Sequence, residues 1–531
     1  MMPSVKMIIV LIKKSDYEFF NNARIGYNSF TSYEIGKNIL LINSEAVFRR
    51  SLSYRIFPVE TFFRWRPHIE LNFTLALIWG RGRIELDTTP GDKTDDWNYF
   101  INSFGGTPDP ITDMGATDVI VAGRASANDL AGLALGTAFG NAIWFFISGV
   151  IFSVTPIIAQ LYGAKKFIEI GKKLREVLWI ALFLCIVIVL IFTNLDLILD
   201  QLPTNKGITK ISGDYLKAVS IGTACFTIYT CLRCYSEGMT LTRPIFVIAF
   251  FGMILNIPLD IIFVYGLFGM PALGGVGCGI ATSIIGFLMM IVLIIYINFS
   301  KNYKHTKPFS EFTPFSFETT KEVFKLGLPI GMGIFFELSM FSGAAIILSV
   351  FGEVVVAGHT VAINIASLFF MVPLSIGLAA ATRVGNLIGE ENPFQAQFAA
   401  YSAIYLCSFT ALVNSIIILV FGSYIVSLYT TEIPVKELAI ALTLFAAIFQ
   451  LPDGVQMGAL GSLRGYKDTF APMVLLFISF WIFAMPIGYF LTNYGFNDPL
   501  EAKGMWYGMI IGLSIFSILV ISRLRWIIKN S

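Results

Sequence analysis

Eleven apolar segments fill the chain from residue 130 to the C-terminus, and each approaches or exceeds the ~20 residues that a helix needs to cross a bilayer. They are residues 130–161, 177–199, 215–234, 245–268, 276–297, 324–350, 354–380, 399–420, 435–460, 471–491 and 505–521. Hydrophobic residues make up 56% of the 531 and charged residues only 14%, whereas soluble proteins carry about 25% charged residues. The pattern predicts an all-α polytopic membrane protein.

Lys and Arg concentrate in alternate connections between these segments, for example at Lys165, Lys301 and Lys467. Positive residues stay on the cytoplasmic side of membrane proteins. We therefore expect these loops and the C-terminus to be cytoplasmic, in a bacterial inner membrane. A net charge of +2 gives no reason to expect a nucleic-acid partner, and six cysteines within mostly apolar runs do not suggest a disulfide framework.

The N-terminal stretch, residues 1–112, differs from the rest of the chain. Its apolar runs, such as residues 7–12 and 39–42, are too short for a membrane span or a signal peptide. Eleven spans that end inside must begin outside, yet nothing would carry the N-terminal region there. We expect the first helix to be truncated or replaced, and this stretch to be poorly ordered or a gene-model artefact.

The chain repeats itself weakly at a nearly constant spacing. The segment from Gln160 to Gly163 (QLYG) aligns with that from Asn386 to Gly389 (NLIG), and Gly238 aligns with Gly465. Units with an even number of spans share one orientation and are related by an axis along the membrane normal. We expect two six-helix bundles, 113–298 and 321–531, joined by a cytoplasmic loop, 299–320.

Several motifs resemble the multidrug and toxic compound extrusion (MATE) transporters of the NorM type. They are TPIIAQLYGA, LNIPLDIIFVYG, LGGVGCGIATSI, FFELSMF, AGHTVAINIASLFFMVPLSIGLAAATRVGNLIG, LPDGVQ and LRGYKDT. The match runs from about Met114 to the C-terminus. It implies twelve helices in two bundles, which export amphipathic, usually cationic compounds in exchange for Na⁺ or H⁺. No organic cofactor is implied, and we expect a monomer in the lipid bilayer.

Two acids stand inside apolar segments of the second half, Glu337 and Asp453. A carboxylate at that depth is costly unless it faces a cavity, a partner or a cation. The resemblance implies that both couple transport to the cation, with carboxylate oxygens that suit Na⁺. The alternatives are a structural acid at Glu337 and a helix-breaking cap beside Pro452 at Asp453.

The resemblance also implies a role for Asp118, the acid of the family's first helix, in cation coupling. The alternative is a loop acid near the outer surface. Asn256 matches a polar position of the substrate cavity, while Asp260 departs from the NorM pattern, which usually has Asn there. Asp260 either adds negative charge to that cavity or is a solvated acid at the membrane edge.

Most of the 49 phenylalanines face lipid or the core, but Phe335, Phe336 and Phe369 are candidates to line the cavity and hold flat cations. We expect His359 to be a packing residue, and Arg464 to anchor a cytoplasmic helix end.

The combined pattern predicts a secondary antiporter. No nucleotide loop, zinc-binding motif or nucleophile elbow occurs, so direct use of ATP is not indicated. An intramembrane enzyme is an alternative, but it would require a paired nucleophile and base or His-rich metal ligands at bilayer depth, and the chain has three histidines, two of them outside the spans. A lipid-linked precursor flippase of related fold would require a cationic cavity. An inactive product of a disrupted gene also remains open.

Overall fold

The structure, a computed structural model, describes residues 7–11, 39–43, 110–201, 206–430, 432–495 and 498–530. It divides into two compact units, residues 1–95 and 96–531. In the first unit, β1 (Met7–Leu11) pairs antiparallel with β2 (Ile39–Asn43). These strands coincide with the two short apolar runs noted above. The rest of the atypical N-terminal stretch, up to residue 109, lies outside the described residues.

The second unit is helical. Its helices are α1 (Pro110–Ala125), α2 (Ala127–Phe152), α3 (Val154–Gly163), α4 (Phe167–Asn194), α5 (Asp196–Leu199), α6 (Lys206–Gly238), α7 (Arg243–Tyr265), α8 (Gly275–Phe299), α9 (Phe317–Leu348), α10 (Glu353–Gly389), α11 (Pro393–Tyr429), α12 (Ile433–Gly465), α13 (Phe470–Phe477), α14 (Met485–Asn493) and α15 (Glu501–Asn530). A π-helical segment, Ile478–Ala484, joins α13 to α14, and single 3₁₀ turns occur at Leu267–Gly269, Lys301–Tyr303 and Ser349–Phe351.

Within the described residues, eleven helical spans are long and apolar enough to cross a membrane, as predicted. The first of them combines α2 and α3, which are separated at Ser153. The described part of helix α1 has 16 residues and begins at Pro110, where the described residues of this unit begin. Helix α1 is not among the eleven spans, which agrees with the predicted truncation of the first helix.

Two separate groups of buried side chains confirm the two bundles. One core contains residues between 114 and 326, including Trp144 and Phe226. The other cores contain residues between 340 and 524, with Trp506 and Phe516 in the largest of them. The first turns of α9 contribute Leu326 to the first core, so α9 contacts both bundles.

The internal repeat is visible in backbone geometry. Lys165 and Glu391, which correspond in the repeat, have φ values of 57° and 56° directly after α3 and α10. Thr240 and Lys467, a second corresponding pair, have φ values of 65° and 61° after α6 and α12. Non-glycine residues rarely adopt this left-handed conformation. Its recurrence at the repeat spacing shows that the helix ends of the two bundles have the same local structure.

The bundles meet along α2 and α9 and at the end of the molecule where the loops 164–166, 239–242, 300–316, 390–392 and 466–469 lie, which we call the basic end. Gly149 of α2 packs against Gly331 of α9 so closely that a Cβ on Gly149 would overlap its main chain. The Ser153 hydroxyl donates to the carbonyl of Val323 over 3.2 Å. Small residues thus allow the two bundles to touch backbone to backbone.

Charged groups reinforce this contact. Lys173 of α4 lies 2.8 Å from one oxygen of Glu322, and Lys467 lies 3.1 Å from the other oxygen. One carboxylate on α9 therefore joins lysines from both bundles. We call these three residues the bridging triad.

Candidate functional site

Glu337 lies midway along α9 and is half-buried between helices of the second bundle. It lines a cleft together with Gly333 one turn earlier, Leu460 and Arg464 of α12, and Met473 of α13. The carboxylate therefore faces protein groups rather than hydrocarbon alone, as a charged group at this depth requires.

Asp453 is 4% exposed, and it lies on α12, which continues unbroken through Pro452. The side-chain amide of Gln456 donates a hydrogen bond to Asp453 Oδ1 over 2.7 Å. The Gln456 side chain also interacts with Glu337. The two predicted acids thus share one neighbour, Gln456.

The Gln456 carbonyl oxygen Oε1 is buried and has no hydrogen-bond partner among the described residues. A buried polar atom of this kind is uncommon in folded proteins. Together with the carboxylates of Glu337 and Asp453, it supplies oxygen donors of the type that a hard cation prefers.

Arg464 is a cation in this cleft, and its guanidinium interacts electrostatically with Glu337. Arg464 lies in the last turn of α12, at a helix end as expected from the sequence, whereas its connection to Glu337 was not expected. A signal for that connection is nevertheless present, since Asp453, Gln456, Leu460 and Arg464 follow one another at spacings of three and four residues on one face of α12.

A second acidic group lies in the first bundle, where α1, α7 and α8 meet. Asp118 is 2% exposed, and Asp260 and Asn256 are fully buried. The Thr282 hydroxyl donates to Asp118 Oδ2 over 3.3 Å, and the Asn256 amide donates to Asp260 Oδ1 over 3.3 Å. From the sequence, Asp118 is expected at a coupling site and Asn256 and Asp260 in the substrate cavity, whereas the fold brings all three together.

Several oxygens of this group lack a partner within the part of the chain that the structure describes. Asp118 Oδ1, Asp260 Oδ2 and Asn256 Oδ1 are buried there without a hydrogen bond. One ligand atom from each of Asp118, Asp260 and Cys278 lies within 4.8 Å of the others. Two facing carboxylates in a water-poor interior repel each other unless a proton or a cation lies between them. The arrangement is therefore suited to bind one.

The candidate aromatic residues occupy different surroundings. Phe335 is 41% exposed, while the Phe336 ring packs against that of Phe477 with centroids 4.9 Å apart. Trp481, within the π-helical segment, donates to the Phe336 carbonyl over 3.4 Å. Phe369 packs into an apolar cluster inside the second bundle. Of the three, Phe335 is the most exposed.

His359 is buried and lies edge-on to the Trp506 ring, with centroids 5.9 Å apart. Its Nδ1 has no hydrogen-bond partner in the described ranges. This position is internal to the second bundle and agrees with the packing role that we expected.

The similarity to known proteins extends over both bundles. The MatE family model matches residues 111–262 and 329–490. The multidrug resistance protein NorM of Vibrio cholerae is 39% identical over 422 residues, which are 79% of this chain and 92% of that protein. The multidrug resistance protein MdtK of Yersinia pseudotuberculosis is 36% identical over 421 residues, which are 79% of this chain and 92% of that protein.

Among solved structures, the eukaryotic MATE transporter AtDTX14 superposes with a TM-score of 0.72 at 18% identity. The match covers 82% of this chain and 98% of that structure. At this identity the similarity supports the fold. The family model and the relatives, together with two helical bundles that each enclose a group of acids, show that this chain is an integral membrane protein of the MatE family.

Proposed function

We propose that this chain exports amphipathic cationic compounds in exchange for Na⁺ or H⁺ by alternating access. The observation that carries the proposal is the proximity of Glu337 and Asp453 to one side chain of the second bundle, Gln456, which is hydrogen-bonded to Asp453 and lies near Glu337. The relatives named multidrug resistance proteins support a broad range of compounds.

The coupling ion binds at the acids in this proposal. Glu337, Asp453 and the Oε1 atom of Gln456 form an oxygen-rich set that suits Na⁺. A proton on either carboxylate could replace Na⁺, because binding of Na⁺ and protonation both neutralise a negative charge that is costly inside the protein. Asp118 and Asp260 offer the first bundle an equivalent means of taking up a cation or a proton.

Coupling follows from competition for negative charge. A cationic compound and the coupling ion are both attracted to the same acids, so binding of one weakens binding of the other. That mutual weakening is a coupling free energy between two ligands. The ion then drives export if its binding favours the arrangement of bundles that releases the compound.

The contacts at the basic end provide the barrier that must open. The bridging triad joins the bundles there, and the glycine packing of α2 against α9 continues the contact towards the middle of α9. We propose that this end is cytoplasmic, because Lys and Arg concentrate in its loops, and that the protein belongs to the bacterial inner membrane with its C-terminus inside.

The decisive experiment is transport by the Glu337→Gln variant in proteoliposomes under an imposed Na⁺ or proton gradient. We expect loss of gradient-driven export of a fluorescent organic cation, with unchanged folding by size-exclusion chromatography. Glu318→Gln is the matched control, since Glu318 is an exposed residue in the first turn of the same helix. Undiminished export by Glu337→Gln would contradict the proposal.

A further inference from the structure

The segment between α8 and α9, residues 300–316, is fixed to the first bundle. The Tyr303 hydroxyl donates to Ser236 Oγ over 3.0 Å, and the hydroxyls of Tyr235 and Thr306 lie 2.6 Å apart. Tyr303 is fully buried. The linker is thus packed onto α6 where it leaves α8.

Helix α4 holds the second half of the linker. Arg175 donates to Thr313 Oγ1 over 2.6 Å and to the Lys307 carbonyl over 2.8 Å. The indole of Trp179 donates to the Thr313 carbonyl over 3.0 Å. The polar groups on the inner side of the linker therefore form hydrogen bonds to side chains of α4.

The outer side of the linker is aromatic, and this aromatic surface extends to Phe317, the first residue of α9. Four phenylalanines follow at spacings of two or three residues and remain exposed: Phe309 (38%), Phe312 (83%), Phe315 (57%) and Phe317 (76%). Clustered exposed aromatics are uncommon on surfaces that face water, and they mark places where another apolar phase or molecule binds.

This aromatic surface continues a lipid-facing stripe of α4. Trp179, Phe183, Ile186 and Leu190 recur at helical spacing and are 39% to 60% exposed, as expected for a membrane helix face that contacts lipid. The ring of Phe312 lies edge-on to that of Trp179, with centroids 6.0 Å apart. Trp is enriched at the boundary between membrane and water, which indicates that Trp179 lies there. Phe312, in contact with Trp179, then lies at the same boundary.

Lysines surround the aromatics. Lys301, Lys304 and Lys307 are exposed, and within the described part of the chain none of them pairs with a carboxylate. Lys172 lies on α4 two turns before Trp179 with its side chain 62% exposed, and its Nζ lies 3.8 Å from a carboxylate oxygen of Glu176. Basic residues beside exposed aromatics complement a membrane surface with anionic headgroups.

We propose that the linker is an interfacial anchor, which inserts its phenylalanines at the boundary of headgroups and acyl chains and binds anionic headgroups through its lysines. The occupant of this surface is the lipid bilayer itself. The anchor fixes the first bundle and the start of α9 relative to the membrane surface.

The test is the depth of a spin label on the full-length protein in liposomes of phosphatidylglycerol and phosphatidylcholine. Labels replace Phe312 (Phe312→Cys) or, as a second site, Phe315 (Phe315→Cys). The six native cysteines are all buried, which favours labelling of the introduced thiol. Ser310→Cys is the control, an exposed polar position of the same linker.

We expect labels at positions 312 and 315 to collide several-fold more often with oxygen, relative to a water-soluble nickel complex, than the label at position 310. If labels at positions 312 and 315 collide no more often with oxygen than with the nickel complex, the aromatics lie in water, as a surface for a soluble protein partner would require, and the proposal is overturned.

The lysine contribution is tested separately by the Lys301→Gln, Lys304→Gln, Lys307→Gln triple variant. Each lysine near an anionic surface strengthens binding about fivefold. We therefore expect retention of phosphatidylglycerol through detergent purification to fall by about one to two orders of magnitude, with phosphatidylcholine unaffected. Unchanged retention would show that the lysines do not bind anionic headgroups.

Discussion

Gly163 packs against the main chain of Asn386, and a Cβ at that glycine would overlap the Asn386 carbonyl oxygen. Gly389, the repeat equivalent of Gly163, packs in the same way against Gln160, the repeat equivalent of Asn386. The same contact of a glycine with a main chain is therefore formed twice, once with the glycine in each bundle. Such a reciprocal contact is what a two-fold axis between the bundles produces.

The first prediction concerns this reciprocal contact. Gly163→Ala or Gly389→Ala forces α3 and α10 apart, since neither main chain has room for a methyl group. We expect a loss of about 1–3 kcal/mol in the free energy of unfolding, the usual cost of overpacking. Thermal melting in detergent measures it, with Gly115→Ala as the control, because no described atom lies within 4 Å of a Cβ at Gly115. Equal melting temperatures for all three variants would contradict the packing argument.

The second prediction concerns the bridging triad. Glu322→Gln removes both ion pairs to Lys173 and Lys467, each worth about 0.2–1 kcal/mol at a partly exposed site. We expect the bundles to separate more often at the basic end. Spin-label distances between positions 169 and 390 detect this as a larger population of long distances.

The matched control for the triad is Glu318→Gln, one turn earlier on α9 and exposed. A distance distribution that is the same for Glu322→Gln, Glu318→Gln and the parent protein would show that the triad does not hold the bundles together.

The third prediction tests whether the acids of the first bundle bind Na⁺ independently of those of the second bundle. In a Glu337→Gln, Asp453→Asn background, the carboxylates of Asp118 and Asp260 remain to bind a buried cation. A ligand at 100 times its Kd stabilises a folded protein by about 2.7 kcal/mol. If the first bundle binds Na⁺, the ion raises the melting temperature of this background, and adding Asp260→Asn removes the effect.

Asp200→Asn, at an exposed position, is the control for that series and is expected to leave the Na⁺ effect intact. A melting temperature that does not respond to Na⁺ in this background would exclude Na⁺ binding by the first bundle and leave a proton as its occupant.

The fourth prediction concerns Arg464, whose positive charge acts on Glu337. A neighbouring cation competes with Na⁺ for the same carboxylate. We expect Arg464→Gln to tighten Na⁺ binding about tenfold, which corresponds to ~1.4 kcal/mol of removed repulsion. Calorimetric titration measures the change, and Arg464→Lys, which keeps the charge, is expected to bind like the parent. Weaker Na⁺ binding by Arg464→Gln would mean that the arginine supports the site instead.

The membrane spans and the repeat follow from the sequence because both are local or periodic properties. A segment such as 276–297 is apolar whatever it packs against, and hydropathy alone assigns it to the membrane. Glu337, Asp453 and Asp118 stand out for the same reason, since each is an acid inside or beside an apolar run.

The partners of these acids were decided by tertiary structure. Asp118 and Thr282 are 164 positions apart, and their contact depends on which faces of α1 and α8 meet. Asp260 joins Asp118 rather than standing alone, and Gln456 is hydrogen-bonded to Asp453 and lies near Glu337. Hydropathy states that a helix lies in the membrane, but not how the helix is rotated about its axis. That rotation, fixed by packing against neighbouring helices, brings the acids together.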